Sequence, residues 1–359
     1  MQQEELDVNS QSVNFIRLGT DSNGVYVLIF VLLLIQQLTK HNQFVIKRKE
    51  SIKLGAIMKK LFSFFLLFLI ILSCLNSEEI ISVNLPQVDT LKLVPYTTFD
   101  FAEINESSAI IKSRVWDGVY WTLNDSGNKN RIFPFNREGQ MYRAEWYKED
   151  QGGVYLAGTL NIDWEEMTVD NYDNIYVCDS GNNSNARKDL CIYQLKDPLP
   201  QATGSVNYFQ KFYFYYSEQT EFPPEANNWD CEAVFWANEK LYLLTKHRAD
   251  SNTKLYRMDS MNPLKENPLT YLETFDIGGM VTAADATIDG KKLAVLTYNN
   301  VWVFEVEEGD DYFNGTIKWL PISAKQCEGI CFDDDETLII TNEQMGLFEI
   351  KIEDMIEVK

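Results

Sequence analysis

Acidic side chains recur at the start of similar segments along this 359-residue chain. One such segment, DWEEMTVDNYDNIYVCDSGNN, begins at Asp163, and a second, DCEAVFWANEKLYLLTKHRAD, begins at Asp230. Five segments align in this way. Their recurrent acids are Glu106, Glu166, Glu232, Asp285 and Glu328. Because carboxylate oxygens are hard ligands, acids that converge on one point suit Ca²⁺ or another hard divalent cation.

Each segment predicts antiparallel strands. A short strand starts at the acid and is followed by an Asp/Asn/Gly turn such as DNYDN or WANEK, which is typical of hairpins. A strongly apolar second strand, a polar stretch and a third strand come next, with room for a fourth strand that is clearest in Val206–Tyr216. Helical periodicity is absent after Cys74. Four-stranded antiparallel units that repeat every roughly 40–65 residues are typical of β-propeller blades.

We therefore predict an all-β fold, a β-propeller of four-stranded antiparallel blades, over residues 89–355 and after a linker at 75–88. The segments predict five blades, or six if a long gap hides a degenerate one. The last segment ends after three strands, so another strand must complete it. We expect Asp89–Phe101 to supply that strand and close the ring. The alternative, a β-sandwich, does not predict the self-similarity.

In a propeller the first strand of each blade lines the central channel, so the five recurrent acids are predicted to form a ring. Uncompensated carboxylates around a narrow axis would raise one another's pKa or bind a cation. The alternative is structural: each acid accepts hydrogen bonds from backbone N–H groups of a neighbouring blade, or pairs with a Lys or Arg. The sequence leaves both interpretations open.

Enzymatic chemistry has few candidate residues. The chain has two histidines, His41 and His247, and His41 lies in a doubtful N-terminal extension. No GxSxG elbow and no Walker motif occurs. Lys246 and His247, at the polar end of a second strand, are the candidates for a general base, although a lone His at a strand end is more often an ordinary polar residue. Metal-assisted hydrolysis is the enzymatic mechanism that these residues permit.

The net charge of −21 excludes a nucleic-acid binder, which needs the opposite sign. An acidic surface suits a soluble exported protein or a cation binder. Aromatic residues exposed at a propeller rim would bind a glycan or a protein partner, although most of the tryptophans are expected to pack between blades.

The N-terminal part of the chain predicts export. Met58–Ser77, MKKLFSFFLLFLIILSCLNS, has the basic start, apolar run and small-residue boundary of a signal sequence. Its apolar run is short for a transmembrane helix. The ending ILSC resembles a bacterial lipobox, which implies a signal peptide at 58–74, lipidation of Cys74 and a lipid anchor in a membrane. An ordinary secretory signal or a retained anchor is the alternative. Residues 1–57 are interpreted as an extension from a mis-called start, or as a genuine extra membrane segment.

Five cysteines follow Cys74, and their spacing matches no zinc template. Cys178 and Cys191 fall on neighbouring predicted strands, so they are the best candidates for a disulfide. Buried free thiols are the alternative.

Several motifs together resemble a group of exported bacterial propellers. These motifs are ES with NDSG, DWEEM with YVCDSGNN, CEA, and a late CEGI, within Glu103–Ile352. The chain is broadly similar to esterase-like/phytase-like and gluconolactonase-like propellers. Gluconolactonase-like propellers hold an axial divalent metal with Glu, Asn and Asp, and the resemblance implies that the recurrent acids could form such a site.

We thus expect an extracytoplasmic propeller lipoprotein, periplasmic or on the cell surface. It would act as a binding or scaffold protein for a protein or glycan, with a divalent cation as the candidate cofactor. The alternative is a metal-dependent hydrolase of an ester, lactone or phosphoester. A metal at the axis with a pocket beside it would favour the hydrolase, and acids already paired within the fold would favour the scaffold.

Overall fold

The computed structural model describes residues 79–146, 152–202 and 204–359. The extension, the signal sequence and Cys74 lie outside these residues, so export and lipidation stay predictions. No helix in the described ranges is long and apolar enough to cross a membrane. Three short strands precede the blades. They are β1 (Ile80–Ile81), β2 (Leu91–Lys92) and β3 (Thr97–Thr98).

Blades one and two follow from β-branched and aromatic runs broken by Asp, Asn and Gly turns. The strands of blade one are β4 (Ser107–Lys112), β5 (Tyr120–Asn124), β6 (Arg131–Phe135) and β7 (Val154–Ala157). The strands of blade two are β8 (Trp164–Val169), β9 (Asn174–Asp179), β10 (Cys191–Lys196) and, after β11 (Ser205–Asn207), β12 (Gln210–Tyr216). Within each blade the consecutive strands pair antiparallel, whereas β11 pairs parallel with β7 of blade one.

The remaining blades repeat this order. The strands of blade three are β13 (Asp230–Ala237), β14 (Lys240–Lys246), β15 (Asn252–Met258) and β16 (Asn267–Asp276). Those of blade four are β17 (Val281–Ala286), β18 (Lys292–Thr297), β19 (Asn300–Glu305) and β20 (Thr316–Ser323). Those of blade five are β21 (Cys327–Asp334), β22 (Thr337–Asn342) and β23 (Gly346–Lys351), and the chain ends after β24 (Ile356–Glu357).

The N-terminal strand β3 completes blade five. Thr97 lies opposite Leu347 and Thr98 opposite Gly346 in an antiparallel pair. The first strands contact one another in the closed order β4, β8, β13, β17, β21 and back to β4. The predicted β-propeller with a closing strand from Asp89–Phe101 is therefore confirmed, and the described chain has five blades.

Five apolar clusters, one in each gap between neighbouring blades, form the core. Strand β14 shows how the sequence builds them: Leu241 and Leu243 face blade two, whereas Tyr242 and Leu244 face blade four. Side chains alternate between the two faces of a strand, and both faces are buried. The second strands therefore read as continuous apolar runs. As expected, tryptophans such as Trp121, which is fully buried, pack in these gaps.

The described cysteines are all buried and free. Cys178 lies opposite Ile192, and Cys191 lies opposite Asp179, so the two cysteines are one residue out of register. Successive residues point to opposite faces of a strand. Cys178 accordingly packs against blade three and Cys191 against blade one. The predicted Cys178–Cys191 disulfide is therefore wrong, and the alternative prediction of buried free thiols is confirmed.

Candidate functional site

Each first strand carries a β-bulge near its start. The register with the second strand shifts by one residue there in every blade. A bulge changes the direction of a side chain, and here it places one residue per blade at the same level. The bulged residues are Ser108, Glu165, Glu232, Thr282 and Glu328. We call the end of the ring where the first strands begin the mouth.

The five recurrent acids do not share one level of the ring. Glu232 and Glu328 occupy bulges, but Glu166 comes one residue after the bulge of its strand and Asp285 three residues after. Glu106 precedes the bulge of β4 by two residues. The expected ring of equivalent carboxylates is therefore corrected: the structure distributes these acids over several levels of the ring.

Two of these acids cap backbone groups. The buried Glu166 accepts hydrogen bonds from Met167 N (2.9 Å) and from Ala284 N (3.2 Å), which lies two blades away. Asp285 accepts a hydrogen bond from Phe332 N at 2.9 Å. Burial raises the pKa of both carboxyls, that of Asp285 to about 6. These contacts match the structural interpretation of the acids.

Glu106 also has a partner. It is half-buried and accepts a hydrogen bond from Asn128 Nδ2 at 2.5 Å. Asn128 follows β5, so this contact ties the start of the first strand of blade one to the turn after the second strand.

A different set of acids converges at the mouth between blades one and two. These acids are Asp125, Asp163 and Glu165. Each contributes one carboxylate oxygen, and the three oxygens lie within 4.8 Å of one another. Asp125 follows β5, Asp163 precedes β8, and Glu165 is the bulged residue of β8. Burial, and then the charge of Asp125, raises the pKa of Asp163 to about 6.

Glu165 is the unusual member of this cluster. Its side chain is 96% buried, with 4% exposed. Among the described residues no donor or cation contacts its carboxylate. Burial raises its pKa well above the usual range, and the nearby acids, Glu232 and Asp125 first, raise it further.

Gly181 allows two of these carboxylates to approach the backbone. A Cβ atom at this position would lie 2.6 Å from Asp163 Oδ2 and closer still to Glu165 Oε1. The glycine N–H donates to the backbone oxygen of Asp163 at 3.1 Å. The glycine of the DSGNN motif therefore leaves room for the acid cluster.

Arg187 fixes the loop that carries Gly181. Its guanidinium lies 2.9 Å from Asp179 Oδ1 and donates to the backbone oxygen of Gly181 at 2.8 Å. Asp179 Oδ1 also accepts a hydrogen bond from Asp163 N at 3.2 Å. This partly buried ion pair thus positions both the loop and the start of β8.

The acids on the other side of the mouth have partners. Lys246 Nζ lies 3.0 Å from Glu232 Oε2 and donates to Tyr298 Oη at 3.1 Å, and that hydroxyl donates to Glu328 Oε1 at 3.0 Å. Burial, and then the charge of Glu343, raises the pKa of Glu328 to about 7. Glu232 and Glu328 are thus compensated directly or through Tyr298.

Each of the two candidate bases has a carboxylate partner. Burial alone would lower the pKa of Lys246. The charge of Glu232 and the hydrogen bond from Lys246 to Tyr298 outweigh burial, so the pKa of Lys246 is raised and its ammonium group stays charged. His247 Nδ1 lies 2.7 Å from Asp250 Oδ1. Lys246 therefore acts as a counter-charge, and His247 is held at the end of its strand.

Sequence reasoning missed Asp125, Asp163 and Glu165 as a set, although NDSG and DWEEM contain all three. DWEEM offers adjacent glutamates, and alignment of the repeats selects Glu166. The bulge that selects Glu165 has no sequence signal in this motif.

Comparisons with known proteins found similarity to solved structures. No family model and no curated protein matches the chain. One of the similar structures was solved as a candidate gluconolactonase and is 9% identical to this chain. The match covers 77% of this chain and 96% of the gluconolactonase chain, with a TM-score of 0.40. The WD40 domain of Neurospora crassa Pan2 is 9% identical, covering 76% and 97% respectively, with a TM-score of 0.39. Likenesses this remote carry no argument about activity.

Proposed function

We propose that this propeller binds a divalent cation, Ca²⁺ in the first place, through Asp125, Asp163 and Glu165. The observation that carries the proposal is the buried carboxylate of Glu165, which faces two other carboxylates without a cation or donor. Burying an uncompensated charge costs several kcal/mol. Such a group therefore takes up a proton or binds a cation.

The donor set fits a hard ion. Ca²⁺ takes six to eight oxygen ligands, and carboxylates are its usual protein ligands. Three carboxylates leave further positions for water or for oxygen atoms of a bound molecule. The absence of a side chain at Gly181 allows two of the three acids to lie close to this loop.

We propose a binding function rather than hydrolysis, because Lys246 is held as a cation by Glu232 and His247, which contacts Asp250, is buried away from solvent. A protein or glycan at the rim remains the proposed partner. Export, which the sequence of Met58–Ser77 supports, would place the site where Ca²⁺ is abundant enough for a site of modest affinity.

Calorimetric titration of EDTA-treated protein with Ca²⁺, Mn²⁺ and Mg²⁺ tests this proposal. Glu165→Gln removes the charge and keeps the shape, and we expect it to weaken binding at least about tenfold. Glu328→Gln is the matched control, since it makes the same change at the equivalent bulge on the compensated side. We expect it to bind within about threefold of wild type. No binding by wild type, or equal binding by Glu165→Gln, would refute the proposal.

A further inference from the structure

The outer edge of blade five differs from the outer edges of the other blades. In blades one to four the outermost strand pairs with additional chain: β7 with β11, β12 with β16, β16 also with β1, and β20 with both β2 and β24. In blade five the fourth strand is β3, which pairs with only Gly346 and Leu347 of the six-residue β23.

The proline at position 95 explains why β3 is so short. It has no N–H to extend the ladder beyond Tyr96, and Leu93 N already donates to Ser323 O of blade four. The chain therefore leaves β23 after pairing with its first residues. The second half of β23 has no strand beside it among the described residues.

The direction of the unpaired groups follows from the register. Tyr96 N donates to Leu347 O, so the backbone groups of Leu347 point outward. The backbone N–H and C=O groups of successive residues in a strand point to alternate sides. Those of Glu349 and Lys351 therefore point outward, as those of Leu347 do. The C=O of Lys351 accepts the first hydrogen bond of a short 3-10 turn, Ile352–Asp354, of which Lys351 is the N-cap. In the described chain no hydrogen bond is made to the backbone N–H or C=O of Glu349 or to the N–H of Lys351. This leaves a short row of donors and acceptors open for another strand.

An acidic groove of about 670 Å³ lies at the same end of β23. Its lining residues are Asp334, Asp335, Glu336, Thr337, Lys351 and Glu353. Lys292 pairs with Glu336 at 2.7 Å, and Lys351 Nζ donates to Thr337 at 2.7 Å. Among the described residues neither Lys forms an ion pair with Asp334, Asp335 or Glu353, so the groove keeps an excess of negative charge.

We propose that the open edge of β23 binds an extended basic segment of a partner protein by strand addition. The segment would pair with the outward groups of Glu349 and the N–H of Lys351, and its Lys or Arg side chains would lie in the acidic groove. Strand addition to an exposed edge is an established mode of peptide recognition. A basic partner fits better than a second copy, because this chain carries a net charge of −21. The inference is independent of the cation site, which uses other residues.

Fluorescence anisotropy with a labelled peptide of alternating Thr and Lys tests the proposal on the intact protein. Lys351→Pro removes the outward N–H, and Lys351→Ala, which loses the same side chain and keeps the N–H, is its matched control. The backbone φ of −91° at Lys351 lies in the extended region, and Pro is tolerated on edge strands. We expect Lys351→Pro to weaken binding at least about tenfold and Lys351→Ala to bind at least as well as wild type.

Two further arms separate the contributions and do not depend on the proline variant folding. A peptide N-methylated at alternate positions should lose binding, because it cannot form the ladder. Asp335→Asn should weaken binding of the Lys peptide and reduce its salt dependence. The proposal is overturned if wild type does not bind the Lys peptide or if N-methylation has no effect. It is equally overturned if wild type sediments as a dimer and Lys351→Pro as a monomer, since the occupant of the edge is then a second copy.

Discussion

Gly181→Ala disturbs the proposed cation site without changing its charge. The added Cβ would lie 2.6 Å from Asp163 Oδ2, whereas ordinary contact begins at 3.4 Å. The carboxylate must therefore move by about 0.8 Å, and Glu165 must move as well. Gly181 is not among the positive-φ residues of the described chain, so alanine adopts the backbone conformation without strain.

The expected loss of affinity follows from how strictly metal ligands are placed. Ligand distances in metal sites are held within about 0.2 Å, and a shift of about 0.8 Å exceeds this several-fold. Loss of a group that orients a ligand typically costs about 10- to 100-fold in metal affinity. We therefore expect Ca²⁺ to bind about 10- to 100-fold more weakly, equivalent to about 1.4–2.8 kcal/mol.

Calorimetry on EDTA-treated protein measures this change, with thermal melting as the check on folding. The control is Gly279→Ala, whose Cβ would meet Thr297 Oγ1 at an ordinary 3.5 Å, and it should bind like wild type. A folded Gly181→Ala protein that binds Ca²⁺ with unchanged affinity would show that these carboxylates are not the ligands, and our reasoning about the mouth would then be wrong.

Two further predictions concern protons and the buried ion pair. Ca²⁺ affinity should fall as the pH drops through about 6, because Asp163, with a pKa raised to about 6, and Glu165, with a pKa raised well above its usual range by burial, must lose protons to bind. A flat titration profile between pH 5 and 8 would contradict this. Lys246→Met should lower the free energy of unfolding by up to about 3–5 kcal/mol, since it removes the nearer cation beside the buried Glu232 and leaves only Arg248, at 3.6 Å. Adding Glu232→Gln should recover part of the loss in urea denaturation, and a loss below about 1 kcal/mol would mean that the pair contributes little.

The fold could be predicted because its determinants are local. Turns such as WANEK and apolar runs such as LYLLT each specify a hairpin without reference to the rest of the chain. The closing strand could be predicted because the last blade lacked a fourth strand and the segment Asp89–Phe101 was not yet assigned to a blade. The short length of β3 was not predicted. Pro95 is visible in the sequence, but the position on blade four where Leu93 finds its partner is not.

The site could not be predicted to the residue, because a one-residue change reverses the side of a strand on which a side chain lies. Glu165 and Glu166 are adjacent in sequence and both buried. The bulge in β8 directs one of them to Asp125 and Asp163 and the other toward Ala284. Only the register of β8 with β9 decides between them.

The role of each acid then depends on groups that are distant in sequence. Glu166 bonds to an N–H group two blades away, and Glu232 has Lys246 on the neighbouring strand of its own blade. Glu165 has neither kind of partner among the described residues. Carboxylates at the mouth that are already hydrogen-bonded or ion-paired gain little from a cation, because their charge is compensated. Glu165 with Asp125 and Asp163 therefore has the most to gain from a bound ion, whereas the recurrent acids lie at different levels of the ring.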